Sequence, residues 1–220
     1  MLDGNGIPFA DIRQNMKELN FINTHLGGHA ITIKGFRQLL QNKKTIRVCE
    51  IGCGGGDNLL AIYNWCQKKN ISVQLVGIDY NADCISIARE QLPFAGTQFI
   101  TADYKTAAFG EDKPDIIFSS LFCHHFSNEE LVYMLNWMRH NAGAGFFIND
   151  LHRHILAYYS IKILTGLFSK SYLVKNDAPL SVQRGFVKQE WKDLLAQSAA
   201  DNYSIEWKWA FRWLIVCRHS

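Results

Sequence analysis

Alternate glycines follow an acidic residue in the segment EIGCGGG, which covers residues 50–56. Glycine tolerates positive φ and lets a ligand approach the main chain closely, so Gly52, Gly54 and Gly56 predict a ligand-binding turn between a strand and a helix. The spacing is G-x-G-x-G, and a dinucleotide fingerprint would need a further glycine where Asp57 stands. Asp57 would also repel a pyrophosphate at a helix N-terminus. The turn therefore favours an adenosyl ligand that carries a sulfonium over NAD.

Carboxylates follow the next two predicted strands. Asp79 lies 29 residues after Glu50 and ends the second strand, where a carboxylate can accept hydrogen bonds from both hydroxyls of a ribose. Tyr80 is next to it and is predicted to lie against an adenine ring. Asp103 follows the third strand and is predicted to accept a bond from the adenine amino group. Each feature alone is weak, since an aspartate at a strand end is often a helix cap. Their order and intervals together predict an adenosyl site.

Histidines cluster after the fourth and fifth predicted strands, whose carboxyl ends should flank a ligand. Histidine suits proton removal from a phenol or enol at neutral pH. We predict His125 and Asp150 as the proton acceptors, with His152 as a third candidate. An equally weighted alternative for the histidine pair at 124 and 125 is backbone hydrogen bonding that orders the loop. The residues predicted to contact the methyl acceptor are His29, His124, His154, Tyr158 and Tyr159.

The segment from Ile155 to Phe168 is apolar on most faces of a helix. Such a helix must be covered by other elements or must line an apolar cavity. Ordinary core packing is the favoured interpretation, and the alternative is a hydrophobic lid over a lipophilic or aromatic acceptor. In that case Tyr158 and Tyr159 would stack on the acceptor ring. The turn at residues 27–29 predicts either a helix break or a hinge of the lid.

Composition and charge narrow the class of protein. The 220 residues suit a single domain, and a net charge of +3 without a basic block gives no reason to expect a nucleic acid or an anionic membrane as a partner. No run of about 18 apolar residues predicts a spanning helix, and the N-terminus lacks the layout of a signal peptide. The six cysteines form no CxxC pair, which is typical of buried thiols in a reducing compartment. We therefore expect a cytoplasmic protein without a membrane span.

Short apolar runs alternate with amphipathic stretches through the middle of the chain. This alternation predicts βαβ units, and hence an α/β fold with a mostly parallel sheet and helices on both faces. Asn128 is the predicted N-cap of the helix that follows the fourth strand. The C-terminal part predicts a helix, a polar loop through residues 177–179, another helix and two final strands, which form a hairpin or bend at one sheet edge. The predicted divisions are an N-terminal helical cap, residues 1–44, and a main domain, residues 45–220, with a helical insertion at about 153–185.

Four segments resemble, in order, the motifs of class I (Rossmann-like) S-adenosylmethionine-dependent methyltransferases: VCEIGCGGGDNLL, GIDYNADCISIAR, TADY and PDIIFSSLFCHHFSNEEL. The resemblance covers roughly residues 45–150. It implies a Rossmann-like seven-stranded sheet with a reversed C-terminal β-hairpin, and S-adenosylmethionine as the cofactor. More loosely, GFFINDLHRHILAYY and later segments look like small-molecule O-methyltransferases encoded beside polyketide synthases. The predicted cofactor contacts are Glu50, Gly52, Gly54, Gly56, Asn58, Asp79, Tyr80, Asp103, Tyr104, Ser119, Ser120 and Leu121.

These observations predict a methyltransferase that acts on a hydroxyl or a carbon of a hydrophobic phenolic or enolic small molecule. No metal is expected, because Asp150 has only Asn149 beside it as a further oxygen ligand. The segment Ser119–Phe122 lacks the Asn/Asp-Pro-Pro-aromatic pattern of enzymes that methylate flipped bases, so a nucleic-acid partner is not expected. The alternatives are a non-catalytic binding or scaffold protein with this fold, an RNA or protein methyltransferase, and a nicotinamide-dependent reductase. Monomer and homodimer both stay open.

Overall fold

A seven-stranded mixed sheet forms the centre of the protein in a computed structural model that describes residues 6–219. Its strands are β1 (Thr45–Ile51), β2 (Ser72–Asp79), β3 (Thr97–Thr101), β4 (Ile116–Ser120), β5 (Gly145–Leu151), β6 (Tyr203–Lys208) and β7 (Arg212–Arg218). The order is β3-β2-β1-β4-β5-β7-β6. Strands β1 to β5 are parallel, and β7 is antiparallel to both of its neighbours. The predicted α/β fold with a reversed terminal hairpin is confirmed.

Eight α-helices lie within residues 6–219. They are α1 (Phe9–His25), α2 (Gly28–Leu40), α3 (Asp57–Lys68), α4 (Ala82–Gln91), α5 (Asn128–Asn141), α6 (Ile155–Phe168), α7 (Tyr172–Arg184) and α8 (Lys188–Gln197). Two single-turn 3-10 helices follow β3 and β4, at Tyr104–Thr106 and Cys123–His125. None of the helices in this described range has the length and apolarity needed to span a bilayer.

Two apolar layers cover the two faces of the sheet. On one face, Phe36 of α2 and Leu59 of α3 are fully buried against the strands. On the other face, Met134 of α5 and Trp191 of α8 are fully buried. Successive residues of a strand point to opposite faces, so a sheet that is buried on both sides needs apolar residues at nearly every position. This is why β4 begins with the apolar run Ile116–Phe118 and β5 contains the apolar run Phe146–Ile148.

The crevice that holds the candidate site follows from the strand order. The chain places β2 and β3 on one side of β1, and β4 and β5 on the other. At such a reversal the loops after the strands diverge, and ligands bind beyond the carboxyl ends of the strands. Helix α7 packs on α1 and on α6, and the three helices lie over this edge. Helix α2 packs instead on β5 and β7, so within the predicted N-terminal cap it is α1 that covers the crevice.

Two local predictions were wrong. Ser127, not Asn128, is the N-cap of α5: its hydroxyl accepts from the Glu130 amide at 3.3 Å, and the Glu130 carboxylate accepts from the Ser127 amide at 2.9 Å. This capping box satisfies two N–H groups at the start of the helix. Residues 177–179 are not a loop, because α7 continues through the buried Pro179. The proline removes one helical hydrogen bond, and packing of α7 against α1 and α6 compensates for it.

Candidate functional site

A cavity of about 800 Å³ lies at the carboxyl ends of the central strands. The glycine turn after β1, the ends of β2 and β4, and the 3-10 turn after β4 form its floor. Helices α1, α6 and α7 and the β6–β7 hairpin form its walls. The surface of the cavity is mainly apolar, which is usual for a small-molecule site, although many of the lining residues are polar or charged.

The glycine turn has the backbone that the spacing predicts. Gly52, Gly54 and Gly56 all have positive φ, at 66°, 50° and 80°. A Cβ added to Gly52 would lie 2.3 Å from the ring of Phe122, so no larger residue fits there. Gly56 is the N-cap of α3, and the amide of Gly54 donates to Oδ2 of Asp79 at 2.8 Å. The turn is therefore tied to the end of β2, and Gly52 and Gly54 line the cavity.

The residues predicted to hold an adenosine lie along one side of the cavity. Asp79 also accepts the amide of Asn81 at 2.9 Å, which fixes both carboxylate oxygens at the cavity edge. Tyr80 lines the cavity with 79% of its surface exposed, so its ring is accessible to a flat ligand. Asp103 caps the turn after β3 through the amide of Lys105 at 2.9 Å and also lines the cavity.

Glu50 is a buried carboxylate at the bottom of the cavity. Its Oε1 accepts from the side chain of Asn58 at 3.1 Å, whereas its Oε2 is buried and has no hydrogen-bond partner within residues 6–219. Burial, and then the charge of Asp57, raises the pKa of Glu50 well above its usual value. Asn58 is held in turn by the hydroxyl of Thr32 at 3.0 Å, and Thr32 accepts from Asn149 at 3.2 Å. Thr32 and Asn149 are members of this network that the motifs did not indicate.

The four remaining predicted cofactor contacts divide into two groups. Ser120, Leu121 and Tyr104 line the cavity, and the hydroxyls of Ser120 and Tyr104 are buried without a partner in the described part of the chain. Burial raises the pKa of Tyr104. Ser119 does not line the cavity: it is fully buried, and its hydroxyl lies 3.4 Å from Sγ of Cys123. Ser119 therefore does not lie with the other predicted cofactor contacts, because alternate residues of β4 face opposite sides of the sheet.

His124 of the 3-10 turn after β4 and Asp150 of β5 form a buried pair next to the cavity. Nδ1 of His124 lies 2.8 Å from Oδ1 of Asp150, and His124 lines the cavity. Oδ2 of Asp150 accepts from the amides of Cys123 at 2.7 Å and Phe122 at 3.2 Å. Burial alone would raise the pKa of Asp150, but the interaction with His124 and the donated hydrogen bonds keep it below its usual value. An ionised Asp150 makes Nδ1 the donor and leaves Nε2 as the basic nitrogen of the ring.

The other two predicted proton acceptors have different positions. His125 lines the cavity but is exposed, and its ring centroid lies 4.3 Å from that of His124. His152 lies outside the cavity lining, because its Nδ1 accepts from the indole of Trp207 at 3.2 Å and its ring packs on Trp213. Burial, followed by the charge of His154, lowers the pKa of His152. Asp150 is fully buried and is also absent from the lining, so neither Asp150 nor His152 lies among the predicted site residues that the cavity brings together.

The predicted acceptor contacts other than His124 lie away from the cavity lining. His154 caps α6 through the amide of Leu156 at 3.2 Å. Tyr158 and Tyr159 pack edge to face on each other, on the side of α6 that is turned away from the cavity. Helix α6 contributes Ala157, Ser160, Ile161 and Leu164 instead. Nε2 of His29 lies 2.8 Å from Oδ2 of Asp57, which lines the cavity, whereas His29 itself does not.

Several lining residues come from elements to which the motifs assigned no role. Their one visible signal is the helical spacing of α1, which brings Asn15, Leu19 and Asn23 to the same face. The full set is Asn15, Met16, Leu19, Ile22, Asn23 and Leu26 near α1, Val174, Asp177, Ala178, Ser181 and Val182 of α7, and Trp209, Ala210, Phe211 and Arg212 at the hairpin. Within the described residues, no group of three or more His, Cys, Asp or Glu side chains is arranged to hold a metal ion.

Comparison with known proteins agrees with this geometry. Residues 48–145 match the family model described as a methyltransferase domain. This match, over 98 of the 220 residues, marks the part of the chain that is similar to a methyltransferase domain. The resemblance of the four motifs to this family is thereby confirmed, and residues 48–145 of the domain include the glycine turn, Asp79, Asp103 and His124.

Individual relatives of the domain are distant. Over 128 residues the chain is 28% identical to a phosphoethanolamine N-methyltransferase of Triticum aestivum, a match that covers 56% of this chain and 24% of that protein. The chain thus spans about a quarter of the length of this curated relative. The fold is similar to the plantazolicin methyltransferase BpumL in complex with SAH, with a TM-score of 0.68, 18% identity and coverage of 94% of this chain and 88% of that one. A SAM-dependent methyltransferase from Aquifex aeolicus gives a TM-score of 0.65, 15% identity and coverage of 96% and 98%.

Proposed function

We propose that the protein transfers the methyl group of S-adenosylmethionine to a hydroxyl, or to a carbon, of a hydrophobic phenolic or enolic small molecule. The observation that carries this proposal is the pairing of His124 with Asp150 beside a mostly apolar cavity that also contains the glycine turn. A proton acceptor next to an apolar wall suits an acceptor that must lose a weakly acidic proton.

The residues of the cofactor side fit S-adenosylmethionine. When bound, this cofactor supplies an electrophilic methyl group on a sulfonium. Gly52 and Gly54 line the cavity with main chain and no side chain, so a ligand can lie against the backbone there. The carboxylate of Asp79 at the cavity edge can accept the ribose hydroxyls, and Tyr80 offers a ring to the adenine. The Oε2 atom of Glu50, which has no partner within residues 6–219, suits a cationic amino group.

His124 acts as the general base in this proposal, and Asp150 positions it. Asp150 accepts a hydrogen bond from the Nδ1–H group of His124, so Nε2 is the ring nitrogen that takes the proton of the acceptor hydroxyl. This arrangement replaces our prediction that His125 and Asp150 themselves take the proton. A correctly placed general base is worth roughly 10²–10⁴-fold in rate.

Helices α1, α6 and α7 exclude water from the reacting atoms. Their lining residues include Met16, Leu164 and Val182, which present apolar surface to the cavity. Methyl transfer is an in-line displacement, so the protein must hold the nucleophile close to the methyl group and keep it desolvated. An aromatic acceptor can bury its rings against these side chains.

Calorimetry and a transfer assay test the proposal. S-adenosylhomocysteine should bind and NAD should not. Labelled S-adenosylmethionine should then transfer its methyl group to members of a panel of phenols, enolisable diketones and amines. Phenols or diketones are the expected acceptors, and exclusive methylation of amines would contradict the acceptor class. Binding of S-adenosylhomocysteine without any transfer would favour a non-catalytic role.

Two variants separate the neighbouring histidines. His124→Ala should lower kcat by about 10²–10⁴-fold and spare the affinity for S-adenosylhomocysteine. His125→Ala serves as the matched control, because it removes an adjacent ring of the same kind that lacks the bond to Asp150. A larger loss of kcat in His125→Ala than in His124→Ala would overturn the assignment.

A further inference from the structure

Arg212 is a buried cation in the wall of the cavity. It is the first residue of β7, lies opposite Leu151 of β5 and has 3% of its surface exposed. Its neighbours at the hairpin, Trp209 and Phe211, are apolar and also line the cavity. Arginine is almost never fully buried unless its charge is paired, so this position calls for a partner.

The hydrogen bonds of Arg212 leave part of its guanidinium unused. Nη2 donates to Oδ1 of Asn23 at 2.9 Å, and Asn23 donates onward to Asp57 at 3.1 Å. Nη1 is buried and has no hydrogen-bond partner in the described part of the chain. Nor does any carboxylate within residues 6–219 lie at salt-bridge distance from Arg212. Asn23 therefore orients the guanidinium of Arg212 through Nη2, while Nη1 lacks an acceptor.

The group is nevertheless charged at neutral pH. Burial lowers the pKa of Arg212 to about 10, and the more distant charges of Asp150 and Asp57 oppose this effect. A buried N–H of a charged group without an acceptor is costly, typically by more than the loss of a neutral hydrogen bond. A carboxylate suits this position best, because a guanidinium binds it through two parallel hydrogen bonds.

We infer that Arg212 binds the carboxylate of a ligand in this cavity. The inference rests on the proposed function, since two ligands of a methyltransferase can carry that group: the amino-acid tail of the cofactor, or the methyl acceptor. In the sheet, β7 lies three strands from β1, about 14 Å at the usual strand spacing. The main chain of Arg212 therefore lies on the side of the His124–Asp150 pair, beside β5. The bond to Asn23 directs the guanidinium back towards Asp57 and the glycine turn. Arg212 thus lies where either carboxylate can reach it.

The first arm of the test separates the cofactor from its tail. S-adenosylhomocysteine and 5′-methylthioadenosine share the adenosine and the thioether, and the second lacks the amino-acid tail. Both are titrated calorimetrically into the wild type, Arg212→Met and Arg212→Lys. Arg218→Met is the matched control, because Arg218 ends the same strand, bonds to Gln38 at 3.0 Å and does not line the cavity.

The second arm probes the acceptor side. Benzoate and its neutral counterpart benzamide are titrated into the same proteins saturated with S-adenosylhomocysteine. A carboxylate subsite at Arg212 should make the wild type prefer benzoate, and Arg212→Met should remove that preference. The lysine variant keeps the charge but loses the fork, so it should show an intermediate effect in whichever arm responds.

The outcomes are distinct. If the carboxylate belongs to the cofactor, Arg212→Met weakens S-adenosylhomocysteine by about 10- to 100-fold and leaves 5′-methylthioadenosine unchanged. If it belongs to the acceptor, S-adenosylhomocysteine is unaffected and the preference for benzoate is lost. The inference would be overturned if Arg212→Met, folded by circular dichroism, bound S-adenosylhomocysteine as tightly as the wild type and showed the same relative affinity for benzoate and benzamide. Arg212 would then be a structural cation. A wild type that binds no S-adenosylhomocysteine would instead refute the proposed function, on which the inference depends.

Discussion

Replacing Asp150 with asparagine tests how the His124 ring is controlled. Oδ1 of Asp150 accepts from Nδ1 of His124 at 2.8 Å and from the amide of Leu151 at 2.7 Å, while Oδ2 accepts from two further amides. An asparagine must turn its NH₂ group towards one of these two sets. If the NH₂ group faces the Phe122 and Cys123 amides, two N–H donors each meet another donor. If it faces His124 and Leu151, only the Leu151 amide does, because the His124 ring can change its tautomer. The second orientation is therefore favoured, and in it Nδ1 of His124 must accept a hydrogen bond instead of donating one.

The expected magnitudes follow from this exchange. One buried amide without an acceptor costs about 1–3 kcal/mol, which lowers the Tm by about 2–12 °C for a chain of this size. The proton of the neutral His124 ring should move from Nδ1 to Nε2, so the ring can no longer take a proton from a ligand. With any acceptor that the wild type methylates, kcat should fall by about 10²–10⁴-fold.

Nitrogen-15 NMR of the histidine rings reads the tautomer directly and needs no knowledge of the acceptor. At mildly alkaline pH, His124 should carry its proton on Nδ1 in the wild type and on Nε2 in Asp150→Asn. Affinity for S-adenosylhomocysteine should stay within about threefold, because Asp150 does not line the cavity. An Nε2 proton already present in the wild type, or an unchanged tautomer in the variant, would refute the assignment of His124 as the base.

Three further substitutions test other parts of the structure. Gly52→Ala should weaken S-adenosylhomocysteine at least about tenfold in calorimetry, since its positive φ and the ring of Phe122 leave no room for a methyl group, whereas Gly166→Ala, which meets no atom within 4 Å, should bind normally. Glu18→Ala removes the acceptor of the Lys170 and Ser171 amides, which directly precede α7. Hydrogen exchange at residues 169–175 should therefore accelerate, and the free energy of unfolding should fall by about 1–2 kcal/mol. Unchanged exchange would show that this contact does not hold α7 in the cavity wall. In Glu206, hydrogen bonds from two lysines lower the pKa to about 2, so its stabilisation exists above the unfolded pKa and disappears as the pH falls through the folded value. Glu206→Gln should cost about 0.5–1 kcal/mol near neutral pH after solvent screening, and its Tm should converge with that of the wild type on acidification; a constant difference would exclude the ion pair as the cause.

The cofactor half of the site could be predicted because its parts are local in sequence. Gly52 and Gly54 follow the end of β1 and Asp79 ends β2, so finding these two strands was sufficient to place them. Backbone geometry at the turn follows from the absence of side chains, and the meeting of the strand ends follows from parallel pairing. Ser119 was the exception, because membership of β4 does not by itself tell which face a residue occupies.

The acceptor half could not be predicted in this way. His124 and His125 are adjacent in sequence, and only the 3-10 turn that joins β4 to α5 directs one ring to Asp150 and exposes the other. Asp150 was predicted as a base because it follows a strand. Nothing in its local sequence shows that four hydrogen-bond donors surround it. Pro179 likewise indicated a loop, although packing against neighbouring helices keeps α7 continuous.

By itself the sequence determined the α/β class, the alternation of strands and helices through residues 45–151, and the glycine turn after β1, since each depends on periodicity or on residues a few positions apart. Tertiary structure decided which groups line the cavity. Asn23 and Arg212 meet across 189 positions of the chain, and Asn15 and Ser181 line the same cavity from α1 and α7. Such contacts depend on how whole helices and strands pack, because the free energy that brings them together comes from the burial of the entire core and not from the residues that touch.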